Sequence, residues 1–221
     1  VSVLVLTLNE ERRLGGCLAA LTDFDDVIII DSHSSDRTAE IARQTGARVW
    51  EFSWDGRYPK KKQTALDRAP ARHPWVLLLD ADEIMTPALV DEIRALFVAG
   101  DPPDDGYFIR GLNTVGRRVL RYGAANKKLS LLHRGAFAFS VVNDLDLPGM
   151  GEVEGHYQPA PLHPGARIGT LAAPLVHESF SDMRAWEAKH TRYAAWEAAM
   201  NARNAWPADP VPERALLKKI F

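Results

Sequence analysis

Two short runs of this chain, residues 27–30 and 76–79, are apolar throughout, and a third, residues 1–6, is interrupted only by Ser2. A strand with one face in water alternates apolar and polar side chains, so runs of this kind must be covered on both faces. The segments between them have the covering pattern. Leu14, Cys17, Leu18 and Leu21 recur at helical spacing after Asn9, which is placed to cap a helix. Residues 39–44 read as a helix stopped by Gly46, residues 49–52 as another strand, residues 61–69 as a helix, and Thr86-Pro87 as the cap and first turn of a helix running to residue 97. Alternating buried strands and helices predict an α/β fold with a mostly parallel, Rossmann-like sheet flanked by helices. Such a sheet binds its ligands at the carboxyl ends of its strands.

The pattern changes after Gly100. Residues 107–109 and 119–122 read as a hairpin around Val115-Gly116, and residues 129–133 and 137–140 as a second one. Residues 143–174 are rich in Gly, Pro and acidic side chains, long enough for a functional loop system. Ser181 is placed to cap a helix to about residue 203, with Trp186, Tyr193 and Met200 on one face. At 221 residues, with 46% hydrophobic and 25% charged side chains, the chain has the length and composition of one globular domain. The single cysteine, Cys17, cannot form an internal disulfide and fits a packed thiol in a reducing compartment. The net charge of −2 gives no reason to expect a nucleic-acid partner. No apolar run approaches the ~18–20 residues that cross a bilayer, and no signal-peptide pattern opens the chain. The opening Val1-Ser2-Val3 lies inside a strand pattern and suggests the core of a longer protein.

Polar residues gather where the apolar runs stop. The first is followed by Thr7-Leu8-Asn9-Glu10, the second by Asp31, and the run at 76–79 by Asp80-Ala81-Asp82-Glu83. Alternate aspartates leaving a buried strand can divide labour, one accepting from a ribose and the other holding a hard divalent cation. An isolated Asp-x-Asp more often ends a capped turn. The wholly apolar strand before it and Asp31 at a neighbouring strand end favour the ligand-binding reading.

Three stretches together resemble family 2 glycosyltransferases of the GT-A fold: Thr7-Leu8-Asn9-Glu10-Glu11, Ile29-Ile30-Asp31-Ser32 with Ser35-Asp36-Arg37-Thr38, and Trp75-Val76-Leu77-Leu78-Leu79-Asp80-Ala81-Asp82-Glu83. The Leu-Asp-Ala-Asp-Glu form and Leu175-Val176-His177-Glu178-Ser179-Phe180 resemble the lipopolysaccharide-core glucosyltransferase subgroup. The resemblance implies that Thr7, Asn9 and Glu10 line a nucleoside pocket and that Asp31 accepts from the base or ribose. It implies that Asp80 holds the ribose or metal, and that Asp82 binds Mg²⁺ or Mn²⁺ together with a sugar diphosphate, a UDP-sugar foremost. Lys62 matches a basic position at a helix start in the subgroup, although Gln63 replaces its usual Asn; the run Lys60-Lys61-Lys62 otherwise reads as a solvated charged face. His177 matches a late histidine that GT-A enzymes bring back to the metal, with a hydrogen-bonded structural histidine as the alternative.

An inverting transferase also needs a base for the acceptor hydroxyl. Asp144, Asp146, Glu152 and Glu154 are the acidic side chains of the loop region, and Glu154 is the first choice with Glu152 second. From Arg110 to Arg134 the chain has seven basic residues and no acidic one: Arg110, Arg117, Arg118, Arg121, Lys127, Lys128 and Arg134. That block could attract an anionic acceptor or an anionic membrane surface, and ordinary solvated hairpins are the alternative. The terminal residues 213–221 read as a basic amphipathic helix resting on a membrane. The expectation is a single catalytic domain: residues 1–100 hold the nucleotide sugar, 101–203 the glycolipid or glycan acceptor, and 204–221 begin a membrane-associating helix. It would be a cytoplasmic, metal-dependent inverting transferase touching the inner face of the cytoplasmic membrane. The alternatives are a nucleotidyltransferase making a nucleotide sugar and a catalytically inactive nucleotide- or glycan-binding module.

Overall fold

A computed structural model describes residues 1–207 apart from 116, 117, 121, 123–125, 148–151, 155, 156, 181 and 182; among the rest, the side chains of 115, 179, 180, 183, 185, 186 and 189 are not described. The elements in chain order are β1 (Ser2–Thr7), α1 (Leu14–Ala19), β2 (Asp26–Asp31), α2 (Thr38–Gln44), β3 (Arg48–Glu51), α3 (Lys61–Arg68), β4 (Trp75–Asp80), β5 (Glu83–Met85) and α4 (Pro87–Leu96). They are followed by β6 (Gly106–Val115), β7 (Arg118–Val119), β8 (Asn126–His133), β9 (Phe137–Ala138), β10 (Ala160–Pro161), β11 (Ile168–Thr170), β12 (Leu175–Phe180) and α5 (Met183–Ala202).

The main sheet has the order β3-β2-β1-β4-β8-β6-β12-β5. Its first four strands are parallel, as the apolar runs require, and β8 joins β4 antiparallel. Alternate side chains of each strand enter different cores. Val3, Val5, Ile29, Leu77 and Leu79 pack with Leu14, Cys17 and Leu18 of α1 and with Leu89, Val90 and Ile93 of α4. Leu4, Ile28, Ile30, Val76 and Leu78 pack on the other face with Ala65 and Leu66 of α3 and with Trp196 and Met200 of α5. Burial pushes the Cys17 thiol up to about 12, so it is a packed, unreactive group.

Two local expectations change. Asn9 does not cap α1: its φ is +57° and its Oδ1 accepts from the Ser35 amide at 2.8 Å, while the residue before α1 is Arg13. Residues 129–133 do not pair with 137–140, because β8 lies between β4 and β6, whereas β9 pairs with β10 in a separate two-stranded sheet. Thr86 caps α4 as expected, accepting from the Leu89 amide at 3.2 Å, and Gly46, at φ +81°, follows α2. The Gly116 turn, the Ser181 cap, the Trp186 side chain and the tail from 208 onward lie outside the described residues.

Candidate active site

Parallel register brings the polar strand ends together. Thr7 is opposite Asp31 across β1 and β2, and Leu6 is opposite Asp80 across β1 and β4. Asp31 is buried and saturated: it accepts from Thr7 Oγ1 at 2.8 Å, Ser34 N at 2.8 Å and Ser34 Oγ at 2.5 Å. The Ser-Asp-rich segment that follows is knitted to the loop after β1. Asp36 takes the Glu11 and Thr38 amides, and Thr38 Oγ1 takes the Glu10 amide. Glu10 turns its carboxylate to Arg13 at 3.2 Å, so it contributes a backbone to this wall and an ion pair beside it.

The three consecutive lysines at the start of α3 have three different fates, and none follows the solvated-face reading. Lys60 is fully buried and pairs with Asp144 at 2.7 Å; Tyr58 and Trp196 also donate to that carboxylate, at 2.7 and 3.0 Å. Lys61, also buried, donates from Nζ to the Thr7 carbonyl oxygen at 2.7 Å. Burial lowers the Lys61 ammonium to about 8, although the carboxylates of Glu152, Asp31, Asp80 and Glu154 pull the other way. Lys62 stands 3.9 Å from Asp80 Oδ1. In the structure the basic side chain at this helix start faces a carboxylate of the chain itself.

Residues 152–154 are fixed on the same helix start. The Lys61 amide donates to the Glu152 carbonyl at 3.2 Å and Lys60 Nζ to the Val153 carbonyl at 3.1 Å. Glu154 receives the Lys62 amide on one carboxylate oxygen at 2.9 Å and the Gln63 amide on the other at 3.1 Å. Both oxygens thus satisfy orphan amides of the helix N-terminus, where negative charge is favoured. Burial nonetheless pushes the Glu154 carboxyl up. Glu154 is placed to hold α3, and the structure puts Glu152, half-buried, two residues away.

Asp80 and Asp82 leave β4 in different surroundings. Asp80 meets Lys128 Nζ at 2.5 Å, and Lys128 also meets the buried Glu83 at 2.6 Å. Burial opposes the charge on Asp80, but Lys128 and Lys62 hold its carboxyl well below the usual carboxylate range. Asp82 is buried with Oδ1 lacking any hydrogen-bond partner and Oδ2 3.3 Å from His177 Nε2. The other ring nitrogen of His177 lies 3.0 Å from Asn113 Oδ1 and 3.1 Å from Asn126 Nδ2. Nδ1–H donated to Asn113 leaves Nε2 an acceptor, whereas Nδ1 accepting from Asn126 puts the proton on Nε2, toward Asp82. The orphaned carboxylate oxygen of Asp82, beside an imidazole whose first tautomer offers a lone pair, fits a divalent cation. Among the described residues no three His, Cys, Asp or Glu side chains form a cluster that could hold a metal, so Asp80, Asp82 and His177 are not brought together as one trio: Asp82 meets His177, and Asp80 meets lysines.

The sequence model of the family described as Glycosyl transferase family 2 matches residues 2–121, from β1 through the strand carrying Asn113. The chain belongs to that family. This family 2 chain is 35% identical over 100 residues to an uncharacterised glycosyltransferase of Rickettsia typhi, covering 45% of the chain and 33% of the relative. It is 33% identical over 106 residues to the lipopolysaccharide core biosynthesis glycosyltransferase LpsC of Rhizobium meliloti, covering 46% and 38%. The matches thus span little more than a third of these curated relatives. Staphylococcus aureus TarS 1–349 has the same fold at 17% identity, with a TM-score of 0.55 over 99% of this chain and 70% of that one. So does glucosyl-3-phosphoglycerate synthase of Mycobacterium tuberculosis, crystallised with Mn²⁺, UDP and phosphoglyceric acid, at 16% identity, TM-score 0.53, and 95% and 80% coverage. The α/β GT-A expectation is therefore met.

Sequence reasoning missed Lys61, Lys128, Glu83, Asn113 and Asn126. Glu83 stood inside the quoted motif and Lys128 inside the basic block, but nothing local marks either as the other's partner. They are 45 residues apart. Asn113 and Asn126 carry no signal without the β6–β12 pairing that sets Asn113 opposite His177 and the β6–β8 pairing that brings Asn126 to the same ring.

Proposed function

We propose that this chain is the catalytic part of a divalent-cation-dependent, inverting glycosyltransferase. It would move a sugar from a nucleoside diphosphate, UDP first, to a hydroxyl of a bacterial envelope glycolipid or polysaccharide, at the cytoplasmic face of the membrane. The observation that carries this reading is the buried Asp82 oxygen without a partner, beside His177 and at the foot of the strand that also ends in Asp80. LpsC, named for lipopolysaccharide core biosynthesis, supports the acceptor class, and the ligands of the mycobacterial synthase support the donor.

Within this reading each residue has a task. Thr7, Asn9 and the Asp31 loop form the nucleoside wall, and Lys61 and Lys62 bring positive charge beside it. Asp82 and His177 would hold Mg²⁺ or Mn²⁺, which supplies charge against the departing diphosphate. Glu152 takes the proton of the acceptor hydroxyl as its oxygen bonds to the sugar carbon and the bond from that carbon to the diphosphate breaks. Glu154 positions Glu152 by fixing both to the start of α3. Glu152 is preferred as base because its carboxylate is not engaged by the helix amides that occupy both oxygens of Glu154.

The test is thermal unfolding with nucleoside diphosphates and their sugars, each with and without Mn²⁺. A ligand at 100 times its Kd stabilises by about 2.7 kcal/mol, so UDP or a UDP-sugar with Mn²⁺ should raise Tm by several degrees. No shift with any nucleoside diphosphate sugar would sink the reading.

A further inference from the structure

The far ends of β6 and β8 carry two kinds of side chain that the donor site does not use. Antiparallel pairing sets Arg110 directly opposite Lys127, and both side chains are exposed. Like charges facing each other across a ladder repel, and between Arg110 and Arg134 the sequence offers no carboxylate to relieve them. Further along β6, β7 folds back with Thr114 opposite Val119 and Val115 opposite Arg118. Val119 is 45% exposed, Leu120 47% and Tyr122 95%. The Leu120 amide bonds to the Asn113 carbonyl at 2.8 Å, so the backbone carrying this exposed apolar side chain is fixed to β6.

The element is an apolar and aromatic end with the exposed cations Arg110, Arg118 and Lys127 around it. An anionic bilayer answers both features. The apolar side chains enter the headgroup boundary, the tyrosine ring suits the interface, and the cations meet lipid phosphates. A soluble phosphorylated ligand would answer the cations and leave three exposed apolar side chains unexplained. Between Arg110 and the apolar end lie Asn113 on β6 and Asn126 on β8, whose side chains meet the His177 ring. Arg110 to Asn113 is three residues, or about 10 Å of strand, so a membrane against this end lies beside the Asp82–His177 pair.

We propose that the far end of β6, β7 and β8 is a docking element for an anionic bilayer, which presents the catalytic site at the lipid surface. The proposal rests on the reading of a glycolipid acceptor, and vesicle binding without donor tests it apart from that reading.

The experiment is co-sedimentation of the full chain with vesicles of phosphatidylcholine alone or with added phosphatidylglycerol. Binding should be at least tenfold tighter to the anionic vesicles and should weaken with salt. Leu120→Asp with Tyr122→Asp, and separately Arg110→Glu with Lys127→Glu, should each lower it at least tenfold while the Mn²⁺–UDP thermal shift is kept. Leu120→Cys carrying a polarity-sensitive fluorophore should shift to the blue on anionic vesicles; Cys17 is buried and leaves the label at the new site. The proposal is overturned if the wild-type chain binds neither vesicle, if it binds both equally, or if both hairpin variants bind like wild type. It is also overturned if Lys218→Glu with Lys219→Glu alone abolishes binding, or if inorganic phosphate binds at the hairpin while vesicles do not. Vesicle binding retained in a chain that shows no nucleotide shift would support docking and remove the donor reading.

Discussion

Lys61 places its ammonium 2.7 Å from the carbonyl oxygen of Thr7, tying the first residue of α3 to the last residue of β1. The bond ties α3 to the carboxyl ends of both β1 and β2, because Thr7 is also the partner of Asp31. A charge held there must be kept out of water, and that has a measurable consequence.

In the folded chain Lys61 titrates near 8, against an ordinary value of 10.5. Between these values the unfolded chain binds the proton that the folded one has lost, so stability rises with pH across that window; below about 8 both forms are protonated and the burial penalty is complete. Lys61→Met keeps the volume, and the Ser32 amide still donates to the Thr7 carbonyl at 3.1 Å. The wild-type chain should therefore gain on the variant from pH 8 to 10, by up to roughly 3 kcal/mol in all. Paired denaturant melts at pH 7, 8, 9 and 10 measure this, and a constant difference would refute the burial argument.

Asp82→Asn should leave the fold intact, since the lost charge is buried and Oδ1 has no hydrogen-bond partner to forfeit. The Mn²⁺-dependent part of the nucleotide shift should disappear and turnover fall at least ~100-fold, of the order seen when an electrostatic contact to developing charge is removed. Asn113→Ala leaves Asp82 in place but loosens His177, and should weaken Mn²⁺ binding by roughly 10–100-fold. Mn²⁺ titration of the three proteins checks both; unchanged affinity in Asp82→Asn would remove the metal assignment.

The two glutamates separate by kind of effect. Glu154→Ala strips two amides of their acceptor and should lower stability by about 0.5–2 kcal/mol, the usual worth of a helix cap. Glu152→Gln should leave Tm and UDP affinity unchanged while kcat falls by roughly 10²–10⁴, the range for a general base. Full turnover in Glu152→Gln would return the search to other carboxylates.

Lys128→Met leaves Asp80 and the buried Glu83 without their shared cation, which should cost about 3–5 kcal/mol at neutral pH. The wild-type contribution of Asp80 is present above its unfolded value and is lost as pH falls toward its depressed folded one. The deficit of the variant should therefore shrink as pH falls below about 4, as urea melts from pH 6 to pH 3 would register. A deficit that grows on acidification would contradict this assignment.

Much of this protein is legible in its sequence because the signals are local. A strand buried on both faces must be apolar throughout, so residues 27–30 and 76–79 announce the parallel sheet, and a sheet of that kind exposes its strand ends. Thr7, Asp31 and Asp80 were readable as neighbours for that reason, and the pairing of Thr7 with Asp31 and of Leu6 with Asp80 follows it. The second half was less readable. Short strands such as β9 and β10 pair across long connections, and a run of apolar residues does not say which strand it will meet.

The site divides along the same line. Sequence alone determined that carboxylates would stand at adjacent strand ends, since chain order and apolar pattern suffice for that. Only the tertiary structure decided which of them is left with an unpartnered oxygen and which are taken by the chain's own cations. Lys60, Lys61 and Lys62 look alike in sequence, yet the first reaches Asp144, 84 residues away, the second Thr7, 54 residues away, and the third Asp80. Pairing energies of buried charges depend on distance and on exclusion of water, and neither exists until α3 is packed against the sheet and residues 152–154 are fixed to its start.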